Sequence, residues 1–367
     1  MMVAAARAHF RFSGGWRFAN IGVSPAADPI LGRFSLVRVF VLQIPSESSG
    51  SSGTPHGPAP LPAPDAIRRA GRAGVAVALW ARLPLRLARF LGGLAGCATY
   101  LLSPRYRRKI RENLGQAGLD ARALRWRVAA HTGQTLAELP YVWVRPAELL
   151  NQCVVTEGFD LIARAQTRGE GILFLTPHLG AFDLAARFFA GQAPITVMFK
   201  PPPTPALARV LEASRNTGQM RAVPASVAGV RAMLRSLREG EAVGLLPDQV
   251  PTAGQGEWSP FFGRPAFTMT LPARLARSGP VCVLLAVAQR RAGGWLLRIE
   301  AMQAAPYPDA LNAAMERLIR SCPEQYLWGY SRYRRPPGVD PPLEGLPAPR
   351  FSGAGSAVKG DLEGGAR

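Results

Sequence analysis

Cysteine is scarce and scattered: Cys97, Cys153, Cys282 and Cys322 stand alone among 367 residues. That spacing excludes a CxxC zinc or redox motif and a disulfide framework. The four read as free thiols in a reducing compartment, packed as small apolar side chains. Histidine is as rare, with His9, His56, His131 and His178. Aromatics make up 8%, so Leu, Ala and Val must fill the core. Acidic residues are outnumbered 24 to 44, giving a net charge of +20. This imbalance says nothing of fold but points to an anionic partner: nucleic acid, a membrane surface or an acidic carrier protein. No apolar run reaches the roughly 20 residues a spanning helix needs.

Half of the excess charge is local. Residues 65–150 hold 15 Arg or Lys and 5 Asp or Glu, and the longest apolar stretches lie there too. Basic charge among apolar residues suits a membrane surface better than nucleic acid. Residues 1–64 carry the run "PSESSGSSGTPHGPAPLPAP", which cannot bury a core and reads as a disordered leader. Residues 65–102 read as a membrane-associated helical segment, 103–336 as the main domain, and 337–367 as a disordered tail. In the second segment Arg82, Arg86 and Arg89 share one helical face, with Pro84 breaking or kinking the helix. The segment can lie in the interface, span as a short tilted helix, or simply pack on the domain.

Ser103 and Pro104 open a basic helix, and another is expected from Ala121 to about Val144. Strands and helices then alternate. Residues 171–176, 195–200, 242–248, 280–290 and 294–302 read as strands. Residues 182–190, 205–218, 226–240, 268–279 and 309–328 read as helices, the fourth capped by Thr268. The expected fold class is α/β, a largely parallel central sheet flanked by helices, preceded by the membrane-associated helix.

The sharpest local feature is "LFLTPHLGAFDLAARF". A buried strand ends, Pro177 and Gly180 turn the chain, and a helix begins near Asp183. His178 thus sits at the carboxyl end of a strand, where open α/β sheets place ligands. On one straight helix His178 and Asp183 would diverge by about 140°; with His178 in the loop they can meet. A carboxylate on one ring nitrogen leaves the other free as a base. An isolated HxxxxD pattern is as readily a surface histidine beside a helix cap; its place at a strand–helix junction favours chemistry. Asp248 and Gln249 end another strand, either pointing into the same cleft or closing a turn. Arg264, after two phenylalanines, can reach a phosphate. "PEQYLWGYSRYRRPP", with Arg332, Arg334 and Arg335, reads as a headgroup contact, a stacking surface for single-stranded nucleic acid, or a core-packed aromatic segment.

"HLGAFD" resembles the HxxxxD signature of the glycerolipid acyltransferase superfamily. The ordered set "RYRRKIRENL", "HTGQTLAEL", "TPHLGAFD", "FKPPPTPAL", "LLPDQVP", "PFFGRPAFT" and "PEQYLWGYSRYRRPP" resembles the late acyltransferases of lipid A biosynthesis, the lauroyl and myristoyl transferases, over residues 70–336. The resemblance implies transfer of a fatty acyl group from acyl carrier protein to a hydroxyl of a Kdo-bearing, phosphorylated lipid A precursor. It places the enzyme at the cytoplasmic face of a bacterial inner membrane, with no metal and no cofactor. His178 would be the general base, oriented by Asp183, with backbone donors near Gly180 for the oxyanion. Lys200 stands where the family shows arginine in "YRP", keeping the charge but losing the fork. Arg215 matches a position used for the anionic lipid. Asp248 and Gln249 would shape the site. Each of these polar residues taken singly also reads as solvated surface.

Two rival readings remain. One is an acyltransferase acting on a glycerophospholipid or another glycolipid; the segments around Asp248 and Tyr326 weigh against it. The other is a basic nucleic-acid-binding protein without catalysis, which leaves the apolar stretch before Leu102 unexplained. No nucleic-acid partner is expected.

Overall fold

The computed structural model describes residues 67–146, 150, 152–199, 204–215 and 218–342. The expected leader, most of the expected tail and Lys200 lie outside them.

Among the described residues the first strand is preceded by helices α1 (Arg72–Trp80), α2 (Leu85–Leu102), α3 (Pro104–Gln116) and α4 (Ala121–Val144). Pro84, extended at ψ 135°, caps α2 and separates it from α1. Ser103 accepts the Tyr106 N–H at 3.3 Å and Pro104 opens α3, the N-terminal arrangement the sequence called for. Helix α2 lies on α4 at backbone distance. A Cβ on Gly92 would sit 2.7 Å from the Gly133 carbonyl oxygen, so no larger residue fits that crossing. The arginines of this segment do not share a role. Arg82 and Arg86 are exposed, whereas Arg89 turns inward, 7% exposed, onto Glu138. Among the described residues no helix is long and apolar enough to cross a membrane.

The remaining chain alternates as expected: β1 (Val154–Glu157), α5 (Asp160–Thr167), β2 (Gly171–Leu175), α6 (Phe182–Ala190), β3 (Ile195–Phe199), α7 (Pro205–Arg215), β4 (Met220–Pro224), α8 (Val227–Arg238) and β5 (Ala242–Leu245). After them come β6 (Gly256–Phe261), β7 (Arg264–Met269), α9 (Leu271–Ala276), β8 (Val281–Arg291), β9 (Gly294–Ala301) and α10 (Pro308–Ser321). Seven strands form one sheet in the order β1-β9-β8-β2-β5-β3-β4. All neighbours are parallel except the β8–β9 hairpin. β2 lies at the centre and is buried at every residue. Its side chains alternate between two cores. Leu173 and Leu175 belong to a core shared with residues of α3, α4, α8, α9 and α10; Ile172 and Phe174 belong to one shared with α4, α5, α6 and α7.

One expected helix starts late. Residues 264–269 form β7, paired with β6 in a separate two-stranded hairpin. Phe262 (φ 47°) and Gly263 (φ 74°) make its turn, the left-handed pair a two-residue hairpin requires. Thr268 is therefore not a helix cap. It is fully buried in β7, where its hydroxyl accepts from Arg332 at 2.7 Å and Asn312 at 2.9 Å.

Candidate active site

β2 delivers the chain to its carboxyl edge, and residues 176–181 turn it into α6. Gly180 (φ 61°) is the hinge, and a Cβ there would lie 2.1 Å from the Ala288 carbonyl oxygen. The loop is clamped on both sides. Gly180 N donates to Gln325 O (3.0 Å), Ala181 N to Ala288 O (2.9 Å), and Leu327 N to His178 O (3.2 Å). Gln325 in turn donates to Arg290 O at 3.2 Å and accepts from Arg290 N at 2.8 Å. The Arg290 side chain continues the clamp to Glu138 (2.8 Å), to Thr135 (2.7 Å) and to His131 Nδ1 (3.0 Å). Burial, then the Arg290 charge, push His131 down to about 4, so it stays neutral and accepts. The amides of His178, Leu179, Gly180 and Ala181 are all committed to protein acceptors. The expected oxyanion donors at Gly180 are thus already occupied.

The carboxylate on the imidazole belongs to Asp248, not to Asp183. His178 Nδ1 lies 2.7 Å from Asp248 Oδ1, and the His178 backbone N–H donates to Oδ2 at 2.9 Å. The reason is geometric. Phe182, the first residue of α6, lays its ring on the imidazole with centroids 4.9 Å apart. Asp183 follows about 100° further around the helix and faces away. Its oxygens accept from Arg215 at 2.8 and 3.1 Å and from Trp143 Nε1 at 2.7 Å. Arg215 also covers the Phe199 ring at 5.2 Å. Beneath this pair lies a cavity of about 50 Å³ lined by Val142, Phe174, Ile195, Val197, Met198 and Gly244 among others. His178 is outside its wall but touches it through Phe182.

Asp248 lies in the turn three residues after β5, the strand beside β2, and its side chain is 2% exposed against 17% for His178. Burial opposes its charge, but the imidazole, the two hydrogen bonds from His178 and the Arg332 charge outweigh it. The carboxyl is held below the usual aspartate range. Since a carboxylate offers only acceptors, Nδ1 carries a hydrogen, and in the neutral ring Nε2 keeps the lone pair. Gln249 Nε2 lies 3.0 Å from that lone pair. No local pattern places Tyr326, Arg332 or Trp143 at this centre. Tyr326 and Arg332 stand behind Asp248; burial and the Asp248 charge raise the Tyr326 phenol well above 10. Arg332 donates to Phe267 O (2.8 Å), Thr268 and Asn312 and is 3% exposed. The terminal aromatic–basic segment is therefore core packing at this point, with Trp328 at 2% exposure. Its signal was the aromatic density, read there with three possible outcomes. Arg264 stands apart, exposed, with its guanidinium 4.8 Å above the Tyr333 ring.

A partly buried imidazole, fixed by a buried carboxylate at a sheet edge, is an arrangement that can take a proton from an attacking hydroxyl. The bacterial lipid A biosynthesis acyltransferase family matches residues 71–335, and this chain belongs to that family and is an acyltransferase. It is 26% identical over 278 residues to the lipid A biosynthesis palmitoleoyltransferase of Escherichia coli strain K12, covering 71% of this chain and 89% of that protein. Identity is also 26% with the lauroyltransferase of the same organism, over 220 residues, 56% of this chain and 71% of that protein. With its myristoyltransferase it is 26% over 208 residues, 53% of this chain and 63% of that protein.

Proposed function

We propose that this chain moves a fatty acyl group from acyl carrier protein to a hydroxyl of a Kdo-bearing lipid A precursor, with His178 Nε2 as the general base. The single observation that carries the base assignment is the 2.7 Å contact between His178 Nδ1 and buried Asp248. It fixes the tautomer whose free nitrogen faces the open side. As the hydroxyl oxygen attacks the thioester carbonyl, its proton passes to Nε2, and Asp248 balances the imidazolium. Asp183 acts one step away: it holds Arg215, a cation that can meet an anionic acceptor. Lys200, outside the described residues, and exposed Arg264 are further candidates for the acceptor's phosphates. The names of the relatives support the acceptor class; the donor follows from the resemblance of the motifs.

We further infer that α2 rests on the cytoplasmic surface of the inner membrane. Leu87, Phe90, Leu91, Leu94, Leu101 and Leu102 are exposed along it, and Arg82, Arg86 and the basic start of α3 border them. Apolar side chains can enter the acyl layer while arginines meet headgroup phosphates.

The deciding experiment is mass spectrometry of lipid A from cells lacking the gene, restored with wild type or His178→Ala. A secondary acyl chain returned only by the wild type is expected. An unchanged lipid A profile on deletion overturns the acceptor assignment, and restoration by His178→Ala overturns the base. For α2, Phe90→Glu with Leu94→Glu should weaken binding to anionic vesicles at least tenfold, since each buried side chain contributes about 1.5–3 kcal/mol.

A further inference from the structure

The base is engaged in the substrate-free site. Asp248 takes the Nδ1 hydrogen, so in the neutral ring Nε2 has only a lone pair to offer. Gln249 places its amide nitrogen 3.0 Å from it, and an amide nitrogen can only donate. The lone pair that Gln249 occupies is the one a substrate hydroxyl needs. Gln249 is exposed, directly follows Asp248, and its amide oxygen meets no donor among the described residues.

We propose that Gln249 caps the base, yields its place to the acceptor hydroxyl, and then turns its amide oxygen to the new Nε2–H. The proposal rests on His178 being the base. In the step, the acceptor oxygen bonds to the thioester carbonyl carbon and its proton passes to Nε2. The C–S bond breaks, and the sulfur leaves with the electron pair and recovers that proton from the imidazolium. No further reagent is needed. Gln249 stays neutral throughout, offering a donor to the free base and an acceptor to the protonated one. Rotation about its terminal torsion, which is soft, exchanges the two. A leucine there would offer neither; a glutamate would favour the protonated ring from the start. The groups that already face the imidazole are Asp248, with Tyr326 and Arg332 behind it, and the Phe182 ring.

The test uses the full chain in detergent, a lauroyl thioester of acyl carrier protein as donor probe and a tetra-acylated Kdo-bearing lipid A precursor as acceptor probe. Gln249→Leu should lower the acceptor KM severalfold, because competition for the lone pair is gone. It should also lower kcat about tenfold, because the imidazolium loses a charge-assisted hydrogen bond. Gln249→Glu should depress kcat more at neutral pH. Nitrogen-15 NMR of labelled histidine, without substrate, reads the cap directly. Only four histidines are present, and His178→Ala identifies the signal. The Nε2 resonance should move in Gln249→Leu, and Gln249→Glu should show a doubly protonated ring. An unmoved Nε2 resonance, or an acceptor KM that does not fall in Gln249→Leu, overturns the cap. Full activity in His178→Ala would instead overturn the base assignment, leaving the NMR result to stand by itself.

Discussion

Two aspartates flank one histidine, and they sit in different surroundings. Asp183 is five residues away in sequence, on the first turn of α6, and is held in a partly open ion pair with Arg215 and by a hydrogen bond from Trp143. Asp248 is seventy residues away, buried in the turn after β5, and takes both the ring and the backbone hydrogen of His178. The contrast teaches that nearness along the chain chose the wrong partner. A parallel sheet places the ends of neighbouring strands side by side whatever their separation in sequence, and helix rotation then turns the nearer carboxylate away.

The largest expected effect is on Asp248. Asp248→Asn leaves the shape but lets the wrong tautomer form, and kcat should fall about 10²–10⁴-fold; steady-state assays with saturating acceptor read this directly. Asp183→Asn should cost less, about tenfold in kcat/KM, chiefly through acceptor KM. It should also lower thermal stability by on the order of 1–3 kcal/mol as Arg215 loses its partner. If Asp183→Asn matched Asp248→Asn in kcat with KM unchanged, the division of roles between the two carboxylates would fail. A smaller contrast is ionic. The Asp183–Arg215 pair is 14% and 19% exposed, so salt should raise acceptor KM by roughly two- to threefold more in wild type than in Arg215→Gln.

A contrast in stability rather than rate lies in the clamp behind the loop. The folded protein keeps His131 at about 4, below the usual histidine value, so the unfolded chain binds the extra proton. Stability should fall as pH drops from about 6.5 to 4 and level off below. On the order of 1–2 kcal/mol is expected once solvent screening is allowed for. Melting temperatures of wild type and His131→Asn across that range check it; parallel curves would remove His131 from the explanation.

Periodicity made the framework legible. Residues 171–175 and 182–190 fell where expected because a run buried on both faces and an amphipathic helix carry strong local signatures. The β6–β7 hairpin was missed because its turn, Phe262–Gly263, lacks the usual asparagine or aspartate and stands beside prolines. Arg89 was placed with Arg82 and Arg86 because helical spacing cannot say which arginine will find a buried glutamate fifty residues on. His178, Gln249 and Asp248 were all noticed as strand-end residues, but the pairing among them was not.

The chain's own order of apolar, glycine and proline residues determined that a strand would end just before His178 and a helix begin just after it. Hydrophobic period and turn chemistry act within a few residues, so they are written locally. Which carboxylate reaches the imidazole, which arginine goes inside, and what rests on the ring's free nitrogen were decided only when β2 and β5 came to lie side by side. Those choices depend on contacts between segments tens of residues apart, and on burial, which no local pattern encodes.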